Sequence, residues 1–245
     1  MTDEQGKLLP FYLVVDVSWS MQGRKLQAAN DVLPKVVDAL AKNPILSDKV
    51  RFALLDFSDD AKVQLPLCDL LDEHVSLPTL STRGGTSYVA AFRLLRTEIE
   101  TNVKQLKADG YAVHRPAVFF LSDGEPTDQE SQWQAAFRDL TFYDREAKHG
   151  FAMFPNFVPC GVDGADPHVL QRLIHPSTGR KPMQMYLMEK GENAADAINK
   201  IAEILISSIL MSGQSMAQGN SGILLPGKDD LPSGLSAFGP DDDFV

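Results

Sequence analysis

The chain has 245 residues, of which 44% are hydrophobic and 23% charged, a composition typical of one large globular domain or one domain with a tail. The formal net charge is −10 and the sequence has no basic patch, which argues against a general nucleic-acid or anionic-membrane surface. No apolar run approaches the roughly 18 residues of a membrane span, and residues 1–10 do not resemble a signal peptide. We therefore expect a cytoplasmic protein that binds neither nucleic acid nor membrane.

Apolar strands and amphipathic helices alternate along most of the chain. Residues 11–15 form an apolar run that predicts a buried strand. Residues 25–41 carry a helical stripe, in which Pro34 predicts a kink or a break into two helices. Residues 50–57 and 62–67 follow as two strands. Because the gap between them is too short for a helical crossover, we expect them to pair antiparallel, with the later one at the sheet edge.

The later segments continue this alternation. We predict a helix at 87–106, a strand at 117–121, a helix at 129–149, an irregular strand region at 151–162, a short helix at 167–174, a strand at 183–188 and a helix at 193–210. Strands alternating with helices of this length predict a mostly parallel central sheet with one antiparallel edge strand and helices on both faces. The expected fold class is doubly wound α/β.

The composition changes at Ser212, after which Gly, Ser, Pro and Asp dominate. Such a segment cannot bury enough surface to fold alone. We expect a folded domain over residues 1–211 and a flexible, acidic tail over residues 212–245. The tail includes the consecutive aspartates Asp241, Asp242 and Asp243, which gives it the means to offer a carboxylate to its own molecule or to a neighbour. A solubilising tail without such a contact is the simpler interpretation.

Oxygen-bearing side chains occur in three segments that we expect at the same edge of the sheet. Asp16, Ser18 and Ser20 stand at alternate positions after the first strand. Thr86 follows two glycines in the segment STRGGTS, and Asp123 comes directly after the AVFFL strand. Open α/β sheets bind ligands at the carboxyl ends of their strands. Two carboxylates and several hydroxyls, without His or Cys, suit Mg²⁺ or Mn²⁺ better than zinc.

In these three motifs the chain resembles a von Willebrand factor type A (VWA) domain with a complete metal-ion-dependent adhesion site (MIDAS). The family's D-x-S-x-S element corresponds to Asp16, Ser18 and Ser20, its threonine to Thr86 and its second aspartate to Asp123. The resemblance implies a Rossmann-like fold and a cation held by the three hydroxyls, with both aspartates contacting it directly or through water. It also implies an open position for an Asp or Glu carboxylate of a partner protein.

The segments GGTSYVAAF and FFLSDGEPTD are most similar to bacterial intracellular VWA proteins of the TerY type, from tellurium-resistance and stress-response clusters. Proteins of that type can also carry a cysteine-rich module. This sequence has only Cys68 and Cys160, which we interpret as two reduced thiols, so no function of such a module is carried over. The leading interpretation is a non-enzymatic, metal-dependent protein-interaction module.

The alternative is a Mg²⁺-dependent phosphoryl-transfer hydrolase on a Rossmann-like scaffold, because such enzymes also begin with an Asp after the first strand. The haloacid-dehalogenase pattern requires a second acid two residues later, and that position is Ser18. Neither a Walker-type phosphate loop nor a G-x-G-x-x-G fingerprint occurs.

Several residues near the motifs have plainer interpretations. Either Thr86 or Ser87 could cap the following helix while the other binds the ion. Trp19 either adds an aromatic contact beside the ion or packs on the rim of the sheet, and we favour packing. The acids Asp59, Asp60 and Asp128 are interpreted as solvated loop residues without a role in the site.

Overall fold

The computed structural model describes residues 6–179, 181–220 and 222–242. Its strands are β1 (Lys7–Asp16), β2 (Val50–Phe57), β3 (Ala61–Cys68), β4 (Ala112–Val113), β5 (Ala117–Ser122), β6 (Tyr143–Asp144), β7 (His149–Gly150), β8 (Asn156–Gly161), β9 (Met185–Met188) and β10 (Leu235–Phe238). Its α-helices are α1 (Arg24–Asn30), α2 (Val32–Ala41), α3 (Pro44–Ser47), α4 (Tyr88–Ala108), α5 (Glu130–Thr141), α6 (Pro167–Gln171) and α7 (Ala194–Ala217).

One twisted sheet organises the molecule, with the strand order β10-β9-β8-β5-β1-β2-β3 and β4 added beside β1. The central neighbours β2, β1, β5, β8 and β9 all pair in parallel. The strand β3 pairs antiparallel with β2, which confirms the predicted mostly parallel sheet and its antiparallel edge strand. The opposite edge is also antiparallel, because β10 runs against β9. The sequence did not predict this second antiparallel edge strand.

Both faces of the sheet are covered by helices, since all six residues of β5 are buried. On one face α4 packs beside α5, and Phe92 of α4 contacts the rings of Phe120 and Phe157. A second group of helices is formed by α7 packed against α1 and α2. Within the described ranges, no helix combines the length and the apolar character that crossing a membrane requires.

Two predicted helices differ in the structure. The helix expected around Pro34 is broken in two at Asp31, in agreement with the break that this proline predicts. The helix expected at 129–149 ends at Thr141 and is followed by the β6–β7 hairpin. The second half of this helix prediction is therefore wrong. Local turn chemistry decides this, because the Asp144 carboxylate accepts hydrogen bonds from two backbone N–H groups of the turn and Lys148 adopts a positive φ of 50°.

The C-terminal segment departs from the expected flexible tail. The helix α7 continues to Ala217, and the hydroxyl of buried Ser212 accepts a hydrogen bond from the backbone N–H of Leu224 at 2.8 Å. Leu235 and Ala237 are buried in β10. A domain boundary at residue 211 is therefore corrected for the described residues up to 242. The segment is too polar to fold alone, but it completes an existing sheet edge and buries its few apolar side chains there.

Candidate metal site

Asp16 is the last residue of the central strand β1 and is fully buried. Its Oδ1 atom accepts a hydrogen bond from the backbone N–H of Ser18, and its Oδ2 atom accepts one from the hydroxyl of Ser122, both at 2.8 Å. Burial raises the pKa of Asp16 to about 6, against the opposing effect of the hydrogen bonds from Ser18 and Ser122. The carboxylate is therefore fixed in orientation, and a nearby positive charge would stabilise its ionised form.

The two serines of the D-x-S-x-S motif connect Asp16 to Asp123. The Oγ atoms of Ser18 and Ser20 lie 2.9 Å apart, and the Ser20 hydroxyl donates to Oδ1 of Asp123 at 2.6 Å. Asp123 follows β5, which lies parallel to β1, so both aspartates emerge at the same edge of the sheet. The fold thus brings together four of the five residues predicted from the sequence, as a connected set of oxygen atoms.

The fifth residue, Thr86, lies in the loop that precedes α4. Two backbone contacts hold this loop against the D-x-S-x-S segment: Arg83 N–H donates to the carbonyl of Val17 at 2.7 Å, and Trp19 N–H donates to the carbonyl of Gly84 at 3.2 Å. Thr86 is 6% exposed, and its hydroxyl forms no hydrogen bond with any residue that the structure describes. Ser87 is the cap of α4, since its Oγ atom accepts from the N–H of Ala90 at 3.1 Å.

The acids Asp59, Asp60 and Asp128 hold the loop before α4 in place. Arg83 binds both carboxylate oxygens of buried Asp56 at 2.8 Å and one oxygen of Asp60 at 3.1 Å. The carboxylate of Asp59 accepts from the backbone N–H of Gly85 at 2.8 Å. On the other side of Thr86, Asp128 accepts from the hydroxyl of Ser87 and the backbone N–H of Val89. Asp59 and Asp60 are exposed, as expected of solvated acids, but all three acids contact the loop that carries Thr86, so the interpretation that Asp59, Asp60 and Asp128 have no role beside the site is corrected.

Lys25 is a site residue that sequence reasoning missed. Its ammonium group donates to Oδ2 of Asp123 at 2.5 Å and to Oδ2 of Asp163 at 2.8 Å. Burial opposes the charged form, but the hydrogen bonds and charges of the two aspartates raise the pKa of Lys25. Its position near the start of the helix after the D-x-S-x-S motif was the available signal, because that helix begins at the edge of the sheet that carries the acids.

Trp19 lies differently from expectation. Trp19 is 62% exposed, so the favoured packing on the rim is wrong and the indole faces solvent beside the motif.

In the C-terminal segment, the carboxylate of Asp242 accepts hydrogen bonds from the ammonium group of Lys228 and from the backbone N–H of Gly239. The chain leaves β10 beside Met185, and the Gln171 side chain of α6 donates to the backbone carbonyls of Gly239 and Asp242. Asp243 lies outside the described residues.

The donor set fits a hard divalent cation. It offers two carboxylates and neutral hydroxyls, which suit Mg²⁺ or Mn²⁺ with waters or a further ligand in the remaining positions. No cluster of three or more His, Cys, Asp or Glu side chains suited to a metal occurs in the described part of the chain. That finding is compatible with a site of only two carboxylates.

Residues 11–125, somewhat less than half of the chain, match the family model of the von Willebrand factor type A domain. The comparison with curated proteins gives no match. Among solved structures, the chain is similar to proximal thread matrix protein 1 from the mussel byssus, with 18% identity, a TM-score of 0.55 and coverage of 82% of this chain and 46% of that one.

A form of the same mussel protein with a zinc-occupied MIDAS motif gives 18% identity and a TM-score of 0.52 over 96% of this chain and 48% of that one. The pilus adhesin SpaC from Lactobacillus rhamnosus GG, in an open conformation, gives 14% identity and a TM-score of 0.56 over 83% of this chain and 30% of that one. The chain thus spans less than half the length of these structures. The family-model match and the shared topology establish that this chain has the fold of a von Willebrand factor type A domain.

Proposed function

We propose that the chain is a metal-dependent protein-interaction module, in which a divalent cation at the sheet edge binds an acidic side chain of a partner protein. The observation that carries this proposal is the connected set of Asp16, Ser18, Ser20 and Asp123, with Thr86 held beside it by the α4 loop. These residues come from distant parts of the sequence, and their oxygen atoms converge where open α/β sheets bind ligands.

Each residue of the set has a defined part in this proposal. The hydroxyls of Ser18, Ser20 and Thr86 would hold the ion, and the carboxylates of Asp16 and Asp123 would contact it directly or through water. When bound, Mg²⁺ or Mn²⁺ supplies a positive charge that neutral hydroxyls do not cancel, and this charge attracts a partner's carboxylate. The hydrogen bonds from Ser18 N–H and Ser122 keep Asp16 correctly oriented before the ion arrives.

The likeness to a mussel protein with a zinc-occupied MIDAS motif and to a pilus adhesin supports both parts of this proposal, a metal and a binding role. We further propose that the chain acts without catalysing a reaction, because Ser18 stands where a phosphoryl-transfer hydrolase would need its second acid. A cytoplasmic place in a bacterial stress-response or tellurium-resistance system is the setting that the TerY-type motifs suggest.

The metal is tested by calorimetric titration and thermal unfolding in Mg²⁺ and Mn²⁺. The wild-type chain should bind one ion and unfold at a higher temperature when it is present, whereas Asp16→Asn, Asp123→Asn and Thr86→Val should lose most of this response. Ser87→Ala is the matched control: it removes a helix cap, which costs about 1 kcal/mol of stability, but it should leave the metal affinity unchanged. Equal metal affinity in wild type and Asp16→Asn would refute the site.

The binding role is tested by affinity capture from host extract in Mn²⁺, with chelator and with Thr86→Val as the two negative conditions. A partner that meets the proposal is retained in Mn²⁺ alone and is lost when one of its own Asp or Glu residues is changed to Asn or Gln. A partner retained at full strength in all three conditions would contradict a metal-dependent contact.

A further inference from the structure

A large groove lies away from the candidate metal site, where α4, α5 and the β6–β7 hairpin meet. Its volume is about 1000 Å³. The side chains that set its charge are Arg93 and Arg96 of α4, Arg138 of α5 and Lys148 of the hairpin, and the carboxylate that opposes them is Asp139. We call this surface the basic groove. A cluster of four cationic side chains stands out in a chain of net charge −10, and the fold brings them together from three separate segments.

Most of this positive charge is not neutralised by any residue that the structure describes. Arg96 lies 3.5 Å from Glu100 in an exposed pair, which contributes little. Arg93, Arg138 and Lys148 form no ion pair with any carboxylate of the described ranges. All three are exposed. Three unpaired cations around one cavity create a local positive potential that favours an anionic ligand.

Aromatic rings hold two of the guanidinium groups in place. The Arg96 guanidinium lies 4.7 Å from the ring centre of buried Phe151, and that of Arg138 lies 5.2 Å from the ring centre of Phe142. A guanidinium stacked on a ring keeps its N–H edges free to bind a carboxylate. Phe142 is itself 40% exposed, one of only a few large apolar side chains open to solvent among the described residues. The groove therefore offers an apolar contact beside its charges.

The shape of the surface favours an extended ligand. A second cavity of about 370 Å³ continues from the basic groove between α4 and α5, and the two share Arg93, Ala135, Ala136 and Asp139. Its far end reaches Val89 and Asp128, at the start of α4. The cations lie in the basic groove itself, whereas the continuing cavity carries only Arg93 beside the carboxylates of Asp128 and Asp139. Separate cations from three segments around the basic groove match several carboxylates on one chain better than they match a single phosphate group.

We propose that the basic groove binds an acidic, extended segment of a partner protein, with Asp or Glu side chains paired to Arg93, Arg138 and Lys148 and an apolar side chain on Phe142. A nucleic acid fits less well, because the remaining surface of this acidic chain would repel its continuous phosphate backbone. The groove contains none of the five candidate metal-site residues, so this binding is independent of the metal and of the proposed function.

The test uses the full chain in chelator, so that any metal-dependent contact is absent. The probe is a short fluorescent peptide with Glu at alternate positions and one Leu, and the comparison peptide carries Gln in place of Glu. Fluorescence anisotropy should show binding of the Glu peptide only, weakening as salt is raised. The variant with both Arg93→Glu and Arg138→Glu should bind it at least about tenfold more weakly.

A charge-matched variant, with Lys42→Glu and Lys190→Glu, changes two exposed cations outside the groove and should bind as wild type does. If the double Arg variant unfolds, Arg93→Gln with Lys148→Gln replaces it, and thermal unfolding confirms its fold. Equal weakening in the charge-matched variant would show a general charge effect and overturn the proposal. So would displacement of the peptide by inorganic phosphate or a single-stranded oligonucleotide at lower concentration than by unlabelled peptide.

Discussion

The ammonium group of Lys25 lies 2.5 Å from Oδ2 of Asp123, on the same carboxylate whose Oδ1 accepts the hydroxyl of Ser20. The aspartate expected to contact the cation therefore already has an internal positive partner. Asp163, which is more exposed, lies 2.8 Å from the same ammonium and offers it an alternative carboxylate. Lys25 and a bound cation would thus share, or compete for, the charge of Asp123.

This relationship predicts that Lys25→Met binds Mg²⁺ or Mn²⁺ more tightly than wild type, by about tenfold, because a positive charge near the ion is removed. Calorimetric titration at low salt measures the change. Arg24→Met, at the neighbouring exposed position, is the control and should have little effect. Weaker metal binding in Lys25→Met would show instead that the lysine is needed to orient Asp123.

The loop before α4 provides a second prediction. A methyl group at Gly84 would collide with the carboxylate of Asp59, which holds the backbone N–H of Gly85. Gly84→Ala should therefore cost about 1 kcal/mol of stability from the disturbed hydrogen bond and weaken metal binding several-fold through Thr86. Gly124→Ala is a control on the same rim, since its added methyl meets open space. Equal metal affinities in Gly84→Ala and Gly124→Ala would show that the geometry of this loop does not affect metal binding.

The ion pair between Arg83 and Asp56 leads to a third prediction, about stability. The carboxylate of Asp56 is fully buried and also accepts from Gln64 at 2.7 Å. Arg83→Met would leave this buried charge without its main partner, and we expect a loss of about 3 kcal/mol in chemical denaturation. Adding Asp56→Leu to Arg83→Met should recover part of the loss. A double variant less stable than the single one would argue that the pair is replaced poorly by apolar side chains.

The C-terminal strand leads to a fourth prediction. Because Leu235 is 4% exposed and β10 completes the sheet edge at β9, Leu235→Ala should destabilise the fold by about 2 kcal/mol. Ser233→Ala, at an exposed position just before the strand, should change stability little. Denaturant unfolding measures the free energy of unfolding of both variants. A Leu235→Ala protein as stable as wild type would mean that this segment adds nothing to the domain.

Much of this molecule follows from local sequence. The strands at Val50–Phe57 and Ala117–Ser122 agree with prediction to within one residue, because a continuous apolar run bounded by turn residues has few other solutions. The approximate position of the candidate site also followed, since Asp16 and Asp123 each come directly at or after a buried parallel strand. Strand direction alone then places both at one edge.

Contacts between distant segments were decided only by the tertiary structure. The pairing of Lys25 with Asp123 joins residues 98 positions apart, and no local pattern specifies it. The edge strand β10 looked like a tail because its composition cannot sustain an independent fold, yet β9 supplies the hydrogen bonds and the cover that it lacks. The basic groove likewise has no signature in a sequence of net charge −10, since its cations become neighbours only when α4, α5 and the hairpin pack together. Burial and charge depend on which surfaces meet, and that is a property of the packed chain rather than of any one segment.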